Sequence, residues 1–154
     1  MGSVLSHIES DSLEVRLRAT RAVAVLCDSH KRCQDAVLVA GGLSKLLAAV
    51  RSHVHQGGEV EEVALWSLRA ISSCAVDHVA CRRSMAAEGA VDLFETFALL
   101  ADSEVVKRDA AAAAACCAEL SVSDNGDTFK SGLRAACISA TKWQAELHGP
   151  AQYT

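Results

Sequence analysis

The 154-residue chain has one proline, 4% aromatic residues and no long apolar segment. Scarce proline together with frequent Ala, Leu and Val favours helices throughout. The longest run without a polar residue spans 110–118, well short of the roughly 18 residues that indicate a membrane-spanning helix. An excess of positive charge is also lacking, because 15 Lys plus Arg face 19 Asp plus Glu, for a formal net charge of −4. Composition therefore argues against a nucleic-acid partner.

The cysteines favour a reducing compartment. There are seven of them, an odd number, at positions 27, 33, 74, 81, 116, 117 and 137. The start of the chain, MGSVLSHIESDSLE, carries acids where a secretory signal has an apolar core. We therefore expect free thiols and an intracellular, cytoplasmic protein.

One apolar stripe recurs along the chain at an offset of 45 residues. It follows the i, i+4, i+7, i+8, i+11 spacing of an amphipathic helix. The three copies are Val15, Ala19, Ala22, Val23 and Leu26; Val60, Ala64, Ser67, Leu68 and Ile71; and Val105, Asp109, Ala112, Ala113 and Cys116. Glu14, Glu59 and Glu104 introduce them, as suits a helix N-terminus. Asp109 is the one clear exception to the apolar pattern.

A second unit recurs at an offset of 48 residues. Its two copies are His30, Cys33, Val37, Gly41, Leu43, Leu46 and Val50; and His78, Cys81, Met85, Gly89, Val91, Phe94 and Ala98. This pattern predicts a short helix, a sharp glycine turn and a second helix. We attribute the difference between the two offsets to a longer link from Ile71 to Cys81.

These repeats predict an all-α protein forming a single helical repeat domain over 1–154. We divide it into a partial repeat at 1–28, repeats at 29–73 and 74–120, and a degenerate C-terminal repeat at 121–148. A final apolar face is predicted to cover the last repeat and comprises Leu133, Cys137, Ala140, Trp143 and Leu147.

The combined unit resembles the armadillo (ARM) repeat. The segments that carry the resemblance are QDAVLVAGGLSKLL with EVRLRATRAVAVL, and SMAAEGAVDLFETF with EVEEVALWSLRAI. The resemblance implies a right-handed α-solenoid of about three armadillo-like repeats, in which neighbouring repeats bury one another's apolar faces. It also implies a groove, lined by the long third helices, that binds extended peptides.

By this resemblance, a partner-binding groove would include Arg21, Glu62, Trp66, Arg69 and Lys107. Further positions carried over onto the groove or beside it are Leu17, Arg18, Val25, Ala70, Arg108, Ala111 and Ala115. Trp66 with nearby arginines is suitable anchor chemistry for a peptide. The alternative is that Trp66 packs against the next helix.

The import receptors of this family hold basic signal peptides with Trp-x-x-x-Asn pairs. The chain has Asn125 as its only asparagine, and no such pair occurs. We expect a partner segment that is acidic or of mixed charge.

Two cysteine–histidine clusters resemble metal sites but have a simpler interpretation. They are Cys27, His30 and Cys33, and then Cys74, His78 and Cys81. They fall at equivalent points of consecutive repeats, and a closed zinc site needs a fourth ligand. Cys116 and Cys117 are adjacent, and we interpret them as small side chains that fill the core. With no nucleophile, phosphate-binding or dinucleotide motif present, we predict no metal, no cofactor and no enzymatic activity.

Met1, Gly2 and Ser6 satisfy the M-G-x-x-x-[ST] pattern of N-myristoylation. Acylation of Gly2 would place the chain on a membrane, which is otherwise not an expected partner. The favoured function is a non-enzymatic protein–protein interaction module or adaptor. The alternative is a small structural subunit, lipid-anchored if Gly2 is acylated, that contacts partners or further copies of itself through its solenoid ends. A mean hydropathy of +0.19 is consistent with such contacts.

Overall fold

A computed structural model describes residues 1–56, 61–76 and 78–118. All regular structure in these ranges is helical, which confirms the all-α prediction. The helices are α1 (Gly2–Ser6), a 3₁₀ turn (His7–Glu9), α2 (Leu13–Cys27), α3 (Lys31–Val39), α4 (Gly42–Gln56), α5 (Glu61–Ala75), α6 (Val79–Ala87), α7 (Ala90–Leu100) and α8 (Glu104–Ala118). The predicted C-terminal repeat at 121–148 and its apolar face lie outside the described residues.

The predicted glycine turns are present between α3 and α4 and between α6 and α7. Gly41 has φ +67° and Gly89 has φ +72°, a left-handed conformation that glycine adopts without a steric penalty. Both ends of α6 lie 48 residues after the corresponding ends of α3. The short helix, turn and second helix are therefore repeated as predicted.

Three helices of equal length, α2, α5 and α8, form one layer, with α5 packed between α2 and α8. Helix α4 packs on α5, and α7 packs on α8. The largest apolar side chains that are fully buried in the shared core are Leu5, Ile8, Leu43, Leu46, Leu47, Leu68, Ile71, Met85, Phe94 and Phe97. Because the two faces of α5 are both covered, ten of its fifteen residues are buried.

The buried stripe of α2 differs from the predicted one, whereas the described residues of the predicted α5 stripe, Ala64, Ser67, Leu68 and Ile71, are all buried. The buried stripe of α2 is Ala19, Thr20, Val23, Ala24 and Cys27. Aligned on the cysteine near the end of each helix, it matches buried residues of α5 and α8, which are Trp66, Ser67, Ala70, Ile71 and Cys74, and then Asp109, Ala110, Ala113, Ala114 and Cys117. The offsets are thus 47 and 43 residues, which average 45. Leu26, predicted to lie in the core, is exposed. The links before α3 and before α6 both comprise three positions, 28–30 and 76–78, so the longer link predicted before α6 is wrong. The offset falls from 47 to 43 chiefly because α7 has 11 residues where α4 has 15.

Polar side chains join each copy to the next. The Gln34 amide donates to the carbonyl oxygens of Cys27 and Ser73, both at 2.9 Å. The Nδ1 atom of buried His78 accepts the Cys81 backbone N–H, which caps α6, while its Nε2 lies 2.7 Å from the Asp35 carboxylate. Because Nδ1 accepts, Nε2 carries the proton and donates to Asp35. These contacts tie together the helix ends of neighbouring copies.

Among the described residues, no single helix is long and apolar enough to cross a membrane. Two consecutive helical segments, Lys31–Val39 and Gly42–Val54, together have the length and apolar composition of a span, but the chain bends by 75° between them.

Candidate functional site

Four of the five predicted groove residues, all except Lys107, are connected by a chain of contacts where α2 faces α5. The Arg21 guanidinium lies over the Trp66 ring, 5.0 Å from its centroid, and pairs with the Glu62 carboxylate. The Arg69 guanidinium lies over the same ring at 4.9 Å. Cations at these distances are attracted to the indole π-system. We call Arg21, Glu62, Trp66 and Arg69, with Asp109, the arginine–tryptophan strip.

Trp66 is the covered centre of this strip. It is only 5% exposed, and its position matches Ala19 of α2 and Asp109 of α8 in the buried stripe. The alternative interpretation of the sequence was packing of Trp66 against the next helix; Trp66 is buried, and its ring contacts Arg21 of the preceding long helix α2 and Arg69 of its own helix. Of the two arginines over the ring, only Arg21 is substantially exposed, so the surface here is formed by Arg21 rather than by the open face of the indole.

Asp109 joins α8 to the strip. Its Oδ2 lies 3.0 Å from Arg69 Nε, and the two side chains are 8% and 10% exposed. Its Oδ1 lies 3.1 Å from Arg108 Nη2. Sequence reasoning treated Asp109 as an exception to an apolar template and missed its role as a counter-ion. The sequence feature that could have indicated this role is a single acidic residue in a helix of small residues, 40 positions after Arg69.

The remaining predicted groove residues divide between surface and core. Lys107 pairs with Glu104 within α8 at 2.8 Å, and this carboxylate raises the pKa of Lys107. Val25, Ala111 and Ala115 are exposed. Ala70 is fully buried and lines no surface, because α5 is covered on two sides.

The accessible charges of the strip belong to Arg21 and Glu62. Their side chains are 42% and 58% exposed, whereas Arg69 and Asp109 are nearly enclosed. A partially exposed guanidinium that is already held over a ring loses little conformational freedom on binding a carboxylate. Arg21 and Glu62, which are paired with each other, are therefore the charged groups of the strip that solvent reaches.

The cysteines of the repeat joints are free and mostly buried. Cys27 and Cys74, at the ends of α2 and α5, are completely buried, and a hydrogen bond from the Cys74 thiol lowers the pKa of Cys27 while raising that of Cys74. Burial raises the pKa of Cys81 to about 11 and that of Cys117 to about 12. Within the described residues, no group of three or more His, Cys, Asp or Glu side chains is placed to hold a metal ion.

Gly2 is exposed at the start of α1. Met1 before it packs against the core, and its carbonyl accepts the Val4 and Leu5 N–H groups. N-myristoylation requires removal of that methionine and would cost α1 these contacts. Acylation of Gly2 stays a prediction.

A scan of family models and searches of curated proteins and of solved structures find no match to this chain.

Proposed function

We propose that the chain is an armadillo-like α-solenoid and acts as a non-enzymatic protein–protein interaction module. The repeated order of short helix, glycine turn, second helix and long helix supports this architecture. So does the layer in which α5 packs between α2 and α8, because stacked copies in a solenoid contact their nearest neighbours. Polar joints such as Asp35 with His78 connect one copy to the next.

The arginine–tryptophan strip is the observation that carries the proposed binding role. It runs across three consecutive long helices and presents preorganised charged groups at a partly exposed surface. Arginine and tryptophan are enriched among the residues that dominate binding energy. We assign to it an extended partner segment of acidic or mixed charge, with a carboxylate meeting Arg21.

The cysteines give no support to an enzymatic alternative. Cys81 and Cys117 have raised pKa values, and a thiol is a weak nucleophile while it stays protonated. A non-enzymatic role agrees with these environments.

The test is affinity capture from native extract with a variant that changes the accessible charges of the strip and its neighbour in α8. Arg21, Glu62 and Lys107 become Ala, while Trp66 and Arg69 stay, since their burial makes them structural. We expect defined proteins to be captured by the wild type and lost with this variant. Each of them is then titrated, as a purified protein, against both forms.

The matched control changes Lys31, Arg83 and Asp92 to Ala. These three residues are exposed on α3, α6 and α7, and their replacement alters the net charge by the same amount. The control should retain the captured proteins and the wild-type helical circular dichroism. Equal loss with both triple variants, or no loss with either, would contradict the strip as the binding site.

Exposed leucines at the end of α7 favour a second candidate, a structural subunit that associates through its solenoid ends. Leu99 is 84% and Leu100 59% exposed, and Val105 at the start of α8 is also exposed. Sedimentation of the wild type should then depend on concentration, and Leu99→Gln with Leu100→Gln should reduce the association. A monomer at all concentrations, alone and in extract, would remove this candidate.

A further inference from the structure

Two cysteines lie near each other where the last turns of α2 and α5 pack together, at the contact between neighbouring repeats. Cys27 is the last residue of α2, and Cys74 lies in the last turn of α5, which packs along α2. The two residues occupy the same position of the buried stripe, and both are completely buried. The Gln34 amide binds the carbonyls of Cys27 and Ser73, so one donor group holds both helix ends.

The two thiols differ in their chemistry. The Cys74 thiol donates a hydrogen bond to Cys27 sulfur, which lowers the pKa of Cys27 and raises that of Cys74. A thiolate, rather than a thiol, attacks peroxides and disulfides. Cys27 ends α2 and precedes the exposed residues Ser29 and His30, so we assign the attack to its sulfur and give Cys74 the role of the neighbouring thiol that resolves the product.

We propose that Cys27 and Cys74 form an oxidation site, at which a hydroperoxide such as hydrogen peroxide converts the two thiols to a disulfide that links α2 to α5. This site is separate from the proposed partner-binding function. It would make the packing of two copies respond to oxidants.

The reaction balances with hydrogen peroxide as the oxidant. Cys27 sulfur attacks one peroxide oxygen and the O–O bond breaks, giving a sulfenic acid and a hydroxide that takes the Cys27 proton to become water. Cys74 sulfur then attacks the sulfenic sulfur, the S–O bond breaks, and the leaving hydroxide takes the Cys74 proton as a second water. The thiols lose two electrons, and the peroxide gains them.

The oxidant can reach the pair through the end of α2. Cys27 is followed by exposed Ser29, which has the uncommon φ of +58°, and by exposed His30. Helix ends open at a lower free energy than the interior of a helix. Hydrogen peroxide is close to water in size, so a small opening of the last turn admits it.

The experiment treats the reduced full-length chain with hydrogen peroxide under native conditions. Remaining thiols are alkylated, and the chain is digested with trypsin without reductant. Cys27 falls in the tryptic peptide 22–31 and Cys74 in the peptide 70–82, which also contains Cys81. Mass spectrometry should find these peptides joined with the loss of two hydrogens, and fragmentation should place the link on Cys74. Dithiothreitol should separate them, and the oxidised chain should have a higher urea midpoint than the reduced chain.

Cys74→Ala should abolish the linked peptide, whereas Cys117→Ala should retain it. Cys117 is the matched control because it holds the corresponding position in α8. If Cys74→Ala fails to fold, the wild type decides by itself when it is oxidised in parallel in water and in urea. A link through Cys33 or Cys81, a link that forms only in urea, or over-oxidation of Cys33 while Cys27 and Cys74 stay reduced would overturn the proposal.

Discussion

The repeat pattern and the structure predict opposite effects of Asp109→Ala on the stability of the protein. By the repeat template Asp109 interrupts an apolar stripe, so Ala should improve the helix, and Ala is the best helix former, by up to about 0.7 kcal/mol. In the structure Asp109 is the counter-ion of Arg69 at the buried α5–α8 contact. The structure therefore predicts the opposite sign, a destabilised protein.

The ion-pair geometry gives the magnitude. Arg69 Nε and Asp109 Oδ2 are 3.0 Å apart, and unit charges at that separation attract by about 5 kcal/mol at an effective dielectric constant of about 20. Removing the carboxylate loses this attraction while Arg69 stays desolvated beside Trp66. Breaking a buried pair from one side costs about 3–5 kcal/mol. That cost exceeds the gain in helix propensity several-fold.

The assay is urea unfolding followed by circular dichroism. Asp109→Ala should lower the free energy of unfolding by about 3 kcal/mol or more, while Glu104→Ala, which removes an exposed pair in the same helix, should leave it nearly unchanged. Adding Arg69→Met to Asp109→Ala should recover part of the loss, because the remaining buried charge is then gone. A stability of Asp109→Ala equal to or above that of the wild type would refute the reasoning.

Three further results are expected from the same unfolding assay. Gly42→Ala should lower the free energy of unfolding by about 1–3 kcal/mol, because the added Cβ would lie 2.8 Å from buried side chains of α1 and α3. Gly2→Ala should have little effect, because its Cβ would meet nothing within 4 Å. Ala113→Leu overpacks a buried position and should cost about 1–3 kcal/mol, but Ala111→Leu, exposed in the same helix, should not. Burial raises the pKa of Cys117 from 9.0 to about 12, so the folded chain keeps a proton that the unfolded chain releases above pH 9. Cys117 by itself should lower stability by up to about 1.4 kcal/mol per unit from pH 9 towards 12. Cys74 and Cys81, whose pKa values are also raised, add to this slope, so Cys117→Ala should reduce it. Equal costs within either pair of substitutions, or an unchanged pH slope, would contradict the corresponding packing or burial.

The helices and their turns were predictable from local sequence. Scarce proline and clustered apolar residues indicated helices, and the 48-residue offset placed α3 and α6 at equivalent positions. Gly41 and Gly89 marked the turns because a positive φ strongly favours glycine. These features depend on neighbouring residues, so a single sequence contains the information.

The register of the long helices was not predictable in this way. Small apolar residues occupy adjacent positions in α2, so a stripe containing Leu26 and a stripe containing Cys27 fit the sequence about equally well. Which stripe is buried depends on the helices packed beside it. The four-residue difference between α4 and α7 then shifts α8 relative to α5.

The sequence alone determined that this chain is helical and where two of its glycine turns fall, and the armadillo resemblance grouped Arg21, Glu62, Trp66 and Arg69 without Asp109. Tertiary packing decided that Trp66 is covered by Arg21 and Arg69, that Asp109 is the buried partner of Arg69, and that Cys27 faces Cys74. The physical reason is distance along the chain. Helix and turn energies come from residues a few positions apart, whereas ion pairs, ring contacts and thiol contacts join residues about one repeat apart, which only the packing of one copy on the next brings together.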